Sequence, residues 1–455
     1  MKNLKLTDII KNIGANCDYS GDIEIKGVST DTRTIEQGDL FIALVGEKFN
    51  GHDYISVAEK NGAAAVVCSQ EVEASVPVLM VDDTLLAMHR LASYYRTLLD
   101  IKIVAITGSN GKTSTRDMTK TVLSSKYNVY STDKNYNNEI GLPKSVFQLD
   151  DSYDIAVLEM GMNHLGEISR LTNIAKPDVA IITNVGKAHI GNLGSQENIL
   201  KAKLEILEGL NKDGLLILNG DDPLLSTADT GDFKKQFTGI DNKNADILAY
   251  NIKSDIDTTE FSVKYSNDEA SGFIPVLGKY NVLNSLEAML CGLHFDIDLK
   301  TAFKALEGFQ KVSMRCESEE IGGLIFVKDY YNSSPDSARV ALETLESYSK
   351  NGKIVALLGE MLELGEFSAK EHENLGKMCE KNNIDFAYFV GDDFEAFKKG
   401  MSKNSKSFAK KNKAEMISDV KEYISTLPKG SAVLVKGSRG MKMEEVFEAL
   451  KKHLS

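Results

Sequence analysis

The sequence predicts an α/β protein of three domains: a small α/β N-terminal domain, a central mononucleotide-binding phosphate-loop domain, and a C-terminal Rossmann-like, doubly wound domain. Short, almost continuous apolar runs recur, each followed by a helix-like stretch, which is the pattern of parallel strands covered on both faces. One of them, IKIVAITGSNGKTSTRDMTKTVL, passes from strand through a glycine-containing loop into a helix. From about Cys316 onward a fresh cycle of strands and helices begins.

The N-terminal domain, placed at residues 1–98, rests on the runs DLFIALV, AAAVVC and VPVLMV and on the helical stretch LLAMHRLASYYRTLL. The central domain, 99–314, opens on the strand, loop and helix just described. Within it DIAVLEMG and DVAIITNV read as buried parallel strands. The region from Ile247 to Leu277 instead alternates apolar with polar residues (TEFSVKYS, GFIPVL), which predicts an antiparallel flank. In the C-terminal domain, 315–455, LIFVKDYY, KIVALLG, FAYFVG and AVLVKGS alternate with helices, and Pro335 suits a first helical turn.

Composition narrows the function. The chain has 455 residues, 42% of them hydrophobic, enough to bury several cores. With 53 Lys+Arg against 66 Asp+Glu the net charge is -13, the wrong balance for a nucleic-acid binder, so phosphate has to be met locally by backbone amides and a few cations. Five scattered cysteines without a CxxC pair suggest neither a disulfide framework nor a zinc site, which fits a reducing cytoplasm. No run reaches the about 20 apolar residues of a membrane span, and no membrane insertion is expected.

The loop Gly108, Ser109, Asn110, Gly111, Lys112, Thr113 sits where a strand ends and a helix begins. Successive N–H groups and the positive helix end there can cradle phosphates, with Lys112 on the outer phosphates and Thr113 on Mg²⁺. The full motif asks for glycine at position 106, where this chain has Ile106. The alternative is a tight turn that needs glycine for backbone reasons alone.

In GSQENILKAKLEILEGL the residues Ile199, Leu200, Leu204, Ile206, Leu207 and Leu210 fall on one helical face, with Lys203 near its middle. Glu197, Lys201, Glu205 and Glu208 take the opposite face, expected to be solvated. A lysine on a packing face must reach water, find a partner or lose its charge; snorkelling is the ordinary outcome. Glu159, at the end of DIAVLEMG, and His189, after IITNVGKAH, stand at carboxyl ends of strands, where open α/β sheets bind ligands. A carboxylate there suits Mg²⁺; imidazole is a less usual ligand for that ion. The polar segment from Asn135 to Pro143 reads either as a nucleotide-reading or substrate-reading loop or as ordinary turn chemistry.

Taken together these residues resemble the Mur ligases over nearly the whole chain. The likeness is carried by DTRTIEQGDLFIALVGEKFNGHDYI, TGSNGKTST, NYNNEIGLP, LEMGMNHLGEI, NVGKAHI, AKLEI, DYYNSSPDSARVAL, LGEMLELGEFSAKEH and VLVKGSRGMKMEEV. The segments LGEMLELG and KGSRGMKME are similar to the branch of the family whose partners are a UDP-N-acetylmuramoyl-tripeptide and D-alanyl-D-alanine. The resemblance implies that ATP phosphorylates the tripeptide carboxylate and that the dipeptide amine then attacks the acyl phosphate. It implies two Mg²⁺ ions, one held by a carbamylated Lys203, with Glu159, His189 and Thr113 as further metal ligands. By the same likeness Lys112, Lys203 and His189 are catalytic, Asn138 lines the nucleotide and metal centre, and Asn281 and Asn284 contact adenine. Arg315 and Asp329 would reach ATP from the third domain, so ligand is expected to draw the domains together. Asp31 and Arg33 are candidates for the nucleotide sugar, and a monomer is expected. Two positions depart from the family pattern: Tyr280 stands where His usually precedes Asn281, and the usual NANP reads as Asn332, Ser333, Ser334, Pro335. The rival readings are a sibling ligase adding a single amino acid, a folylpolyglutamate synthetase-like ligase, a phosphate-loop switch, and a silent binding protein.

Overall fold

The computed structural model describes all residues except 134, 256, 311–313, 351, 402–406 and 411, and omits the side chains of 407–409. Three principal sheets follow one another along the chain. The first has four parallel strands, Gly27–Ser29, Asp39–Ile42, Ala65–Cys68 and Val78–Met80, covered by the helix Thr84–Thr97.

The second has nine strands. Its parallel part runs, in spatial order, Val129–Ser131, Ile155–Glu159, Lys102–Thr107, Val179–Ile182, Leu215–Asn219, Lys234–Gly239 and Ile247–Asp255. Thr258–Tyr265 and Asp268–Ile274 then add on antiparallel, so the alternating region is the flank the sequence predicted, continuous with the parallel sheet. Lys102–Thr107 lies between Ile155–Glu159 and Val179–Ile182. That placement brings the phosphate loop, Glu159 and the loop after Ile182 to one edge of the sheet.

The third sheet has six strands, ordered Glu317–Ile321, Leu324–Asp329, Ala432–Lys436, Ile354–Gly359, Phe386–Val390 and Ser407–Lys410. All pairings are parallel except that of the edge strand Glu317–Ile321, to which the sequence analysis assigned no strand.

The first domain is fixed to the second by buried and half-buried polar contacts. Arg96 donates from Nε to the Ala175 carbonyl (3.0 Å) and from its two terminal nitrogens to the Leu99 and Ile101 carbonyls (both 2.9 Å). Three acceptors for one guanidinium fix the junction rigidly, because each carbonyl would otherwise lose a partner. Tyr95 donates its hydroxyl to the Leu149 carbonyl (2.6 Å), and His89 Nε2 lies 2.7 Å from the Glu139 carbonyl oxygen.

The amphipathic stretch around Lys203 differs from its sequence reading. The α-helix is Gln196–Leu204, and a 3₁₀ turn, Glu205–Glu208, follows. Glu205 is half-buried and not on a solvated face. Its carboxylate accepts the backbone N–H groups of Gly166 (2.7 Å) and Ser169 (3.2 Å), capping the helix Glu167–Ala175, where a negative charge is stabilising.

One buried group gives this fold a pH dependence. Glu287, on the helix Lys279–His294, is fully buried, accepts one bond from the Thr115 hydroxyl (2.9 Å), and leaves Oε1 without a partner among the described residues. Burial pushes its carboxyl up to about 8, and the Thr115 bond opposes only part of that. The fold therefore accepts the neutral acid. Its contribution is whole below the ordinary value of 4.5 and is lost as pH rises to and through about 8. Over that span the loss amounts to roughly 5 kcal/mol at most. In urea unfolding, the stability of wild type relative to Glu287→Gln is expected to fall between pH 5 and pH 8; a difference flat in pH would reject the assignment.

Candidate functional site

A cleft of about 470 Å³ opens at the carboxyl edge of the central sheet, between it and the third domain. It is lined by Ser109, Asn110, Gly111, Lys112, Thr113, Asn138, Glu159, His189, Asn281, Asn284, Arg315 and Asp329, all singled out in the sequence.

The phosphate loop owes its shape to its ends. Lys102–Thr107 delivers it from the sheet, and the helix Lys112–Leu123 begins at once, with Gly111 as its N-cap at φ 83°. A side chain at Gly111 would be strained at that φ and would place Cβ 2.8 Å from the Asn284 carboxamide oxygen. The four free N–H groups of the first helical turn thus face the cleft beside Lys112. Lys112 Nζ donates back to the Gly108 carbonyl (2.7 Å). Burial lowers its pKa; Glu159 opposes this and Arg315 adds to it.

Glu159 ends its strand almost fully buried, with three groups on its carboxylate. Thr113 donates its hydroxyl to Oε2 (3.0 Å), Asn137 its amide to Oε1 (2.8 Å), and the Arg116 guanidinium lies 3.5 Å from Oε2. Asn137, not the neighbouring Asn138, is therefore the amide on this carboxylate. Asn138 lines the cleft, but its Oδ1 accepts the N–H groups of Ile140 (3.2 Å) and Gly141 (2.8 Å), where the helix Gly141–Phe147 starts. Nothing in an Asn-Asn pair tells the two apart before the backbone fixes them.

His189 has φ 63°, and its Nδ1 lies 2.6 Å from the Glu363 carboxylate of the third domain, outside good hydrogen-bond alignment. That contact holds Glu363 below the ordinary carboxylate range, against burial. With Nδ1 turned to Glu363, Nε2 is the other nitrogen available to a ligand.

Lys203 is 2% exposed and does not line the cleft itself. Among the described residues it has no ion pair. Burial drives its pKa well below the ordinary lysine value, Lys112 adds to this, and Asp222 opposes it. Asp222 is taken by backbone: it accepts from the N–H groups of Val185 (2.8 Å), Leu224 (2.9 Å) and Leu225 (3.0 Å). Lys203 thus does not snorkel: burial and Lys112 both act against its charge, which favours the neutral, nucleophilic form of the amine.

From the third domain Asp329 and Arg315 reach the cleft. Asp329 Oδ2 accepts from Lys436 Nζ (2.6 Å), which also donates to the Asn332 carbonyl (3.2 Å). Lys436 lines the cleft and was not singled out; in AVLVKGS it reads as an unremarkable strand-end charge. Arg315 lies over the Tyr331 ring, 4.4 Å from its centre. Asn281 donates to the Leu277 carbonyl (2.8 Å), and its own Oδ1 accepts from Asn284 (3.2 Å), so the two amides form a buried ladder behind the loop.

Asp31 and Arg33 lie outside this cleft. They pair with each other: Arg33 donates from Nε to Oδ1 (2.9 Å) and from its terminal nitrogen to Oδ2 (2.6 Å). The Arg33 hydrogen bond holds the Asp31 carboxyl down to about 2.

Chemically the cleft joins an anion cradle and a hard-oxygen pair, and a desolvated amine, Lys203, is buried outside its lining. Among the described residues no group of three or more His, Cys, Asp or Glu is placed to hold a metal. Mg²⁺ commonly uses one or two carboxylates and completes its octahedron with phosphate oxygens and waters. Glu159 with the Thr113 hydroxyl therefore fits that ion in the presence of a nucleotide.

Comparison with known proteins matches three family models in succession: Mur ligase family, catalytic domain, at residues 24–96; Mur ligase middle domain at 106–292; and Mur ligase, glutamate ligase domain, at 314–439. A UDP-N-acetylmuramoyl-tripeptide--D-alanyl-D-alanine ligase from Bacillus subtilis is 39% identical, over 98% of this chain and 97% of its own length. The protein of that name from Escherichia coli is 33% identical, over 99% and 98%. Among solved structures, MurF from Acinetobacter baumannii superposes with a TM-score of 0.94 at 29% identity, covering 99% of both chains. MurF from Thermotoga maritima in complex with ADP superposes with a TM-score of 0.85 at 28% identity, over 94% of this chain and 98% of that one. Matched in order by all three models and aligned end to end with these relatives, the chain belongs to the Mur ligase family.

Proposed function

We propose that the chain is the ATP-dependent, ADP-forming amide-bond ligase that joins D-alanyl-D-alanine to UDP-N-acetylmuramoyl-tripeptide, giving the muramoyl-pentapeptide precursor of peptidoglycan. The observation that carries this reading is the full-length identity to ligases named for that reaction. The likeness to folylpolyglutamate synthase, at 14% identity, reaches only the fold.

The residues support a two-step acyl transfer. ATP lies with its outer phosphates on the loop amides and Lys112, and the tripeptide carboxylate attacks the γ-phosphorus, releasing ADP. The dipeptide amine then attacks the acyl phosphate and expels phosphate. Carboxylate and triphosphate repel, so the first step depends on fixed positive charge where negative charge gathers. Thr113, Glu159, His189 and a carbamylated Lys203 would hold Mg²⁺, which would supply charge neutralisation when bound. Asn281 and Asn284 back the adenine end, and Arg315 and Asp329 approach the nucleotide from the third domain. Residues 1–98 take the UDP-sugar, with Asp31 and Arg33 at its nucleotide; 99–314 carry ATP; 315–455 bring the dipeptide. The protein acts as a cytoplasmic monomer without membrane insertion; among the described residues no helix is long and apolar enough to cross a membrane.

Phosphate release tests this directly. With ATP, Mg²⁺ and UDP-muramoyl-tripeptide, release is expected to depend on D-alanyl-D-alanine, with a product heavier by one dipeptide residue unit. Equal turnover with single amino acids would favour a sibling activity. Turnover with folate would favour a folylpolyglutamate synthase, and hydrolysis indifferent to every acceptor a nucleotide switch.

A further inference from the structure

We propose that Ser334 is a positioning residue that registers the third domain on the phosphate loop, so that docking of this domain and nucleotide binding are coupled through the side chain of Asn110. The inference rests on the reading that the loop holds ATP. The Ser334 hydroxyl, almost fully buried, donates to Asn110 Oδ1 at 3.0 Å across the domain boundary.

The backbone of Asn110 is committed inside the central domain. Its N–H donates to Asn184 Oδ1 (3.0 Å), and its carbonyl accepts from the Thr183 hydroxyl (2.6 Å) and the Asn184 amide (2.9 Å). Only the side chain of Asn110 is left to look outward. It directly precedes Gly111, the N-cap whose N–H opens the anion cradle, while the Ser109 N–H is held by the Asn184 carbonyl (3.0 Å), so a shift of the Asn110 carboxamide is felt where phosphate binds.

The central domain is shaped to receive this contact. Two residues beyond Ser334, Asp336 accepts the Lys187 backbone N–H through Oδ2 (2.7 Å). At the adjoining Gly186 a Cβ would sit 2.3 Å from that same Oδ2 and 3.4 Å from the Asn110 amide nitrogen. Glycine is thus required there for a third-domain carboxylate to arrive. Lys187 Nζ also meets Glu371 (2.8 Å), and the Gly191 N–H donates to the Glu363 carbonyl (3.1 Å). The third domain cannot draw away without freeing Asn110, and by linkage whatever fixes Asn110 favours docking.

Ser334 also caps the helix Pro335–Leu345, with a reciprocal bond to Ser337. One hydroxyl serves both tasks, since it offers one donor and further acceptor capacity. The two roles separate by substitution. Ser334→Gly keeps most of the cap but removes the donor, Ser334→Thr keeps both, and Ser334→Ala removes both.

The test is calorimetric affinity for a non-hydrolysable ATP analogue with Mg²⁺, using full-length protein, together with Tm. Ser334→Gly is expected to weaken the analogue about tenfold with little change in Tm, and Ser334→Thr to restore affinity to within about threefold. Asn110→Ala is expected to weaken it similarly and to add nothing in the Ser334→Gly background, because both remove one interaction. Wild-type affinity in Ser334→Gly, or fully additive losses in the double variant, overturns the proposal. An absence of ligase product in wild type would instead strike the functional reading and leave this measurement intact.

Discussion

Lys203→Ala is expected to reduce turnover by about a thousandfold or more, and short carboxylates such as acetate or propionate are expected to restore part of it. The side chain is 2% exposed and lacks an ion-pair partner among the described residues. Burial and the neighbouring Lys112 both act against its charge, and Asp222, already occupied by three backbone N–H groups, offsets little. A buried lysine in that state is expensive to keep as a cation, and as a neutral amine it reacts with CO₂: the Nζ–C bond forms, one proton leaves, and an anion remains. On the proposed function that product would make a packing-face lysine an oxygen ligand for Mg²⁺. In Lys203→Ala the removed side chain leaves space beneath the cleft for a small carboxylate to supply the same oxygens. Lys203→Met, which leaves no such space, should be equally slow and deaf to acetate. A carbamate carbon signal after incubation with labelled bicarbonate, present in wild type and absent in both variants, reads the modification without reference to turnover. Wild-type rates in Lys203→Ala would remove the carbamate from the account.

Legibility in the sequence followed locality. The phosphate loop and Glu159 were readable because a strand, a turn and a helix in immediate succession fix both direction and edge of the sheet. Lys203 was readable as an anomaly, a charge at an apolar position of a helical period, although the end of that helix and the capping role of Glu205 were not. Those depend on the helix Glu167–Ala175, more than thirty residues away, whose open N–H groups no local pattern reveals. The choice between Asn137 and Asn138 turned on backbone direction within one loop. Lys436 was hidden for a related reason: its partner Asp329 lies on a strand adjacent in space and remote in sequence. The contacts that join the third domain to the phosphate loop, Ser334 to Asn110 and Asp336 to Lys187, are of the same kind. Ser334 was visible only as a departure from a pattern.

Lys112→Met should remove nearly all ligation, by about a thousandfold in kcat/KM, while leaving the fold in place. Lys112 is a half-buried group whose only described acceptors are carbonyls of its own loop, Gly108 at 2.7 Å and Ser109 at 3.5 Å. On the proposed function this is a resting arrangement: two neutral carbonyls hold the amine where an outer phosphate would displace them. Methionine matches the length and apolar stem, so loss of the charge is the main change. On the proposed function Lys112 serves the outer phosphates, so its loss should weaken a triphosphate analogue more than ADP, whose remaining phosphates would still meet the loop amides. Lys112→Arg should not rescue, since a planar guanidinium cannot curl onto the Gly108 carbonyl as a compact ammonium does. Lys112→Met should also relieve Lys203, because Lys112 is one of the groups that lowers the Lys203 pKa. With that neighbour gone the Lys203 amine regains part of its charge, and carbamate formation, read by the same labelled carbon, should fall at a given pH. Catalytic loss with an unchanged carbamate signal would separate the two lysines electrostatically; kcat/KM within a few-fold of wild type would remove Lys112 from the transition state altogether.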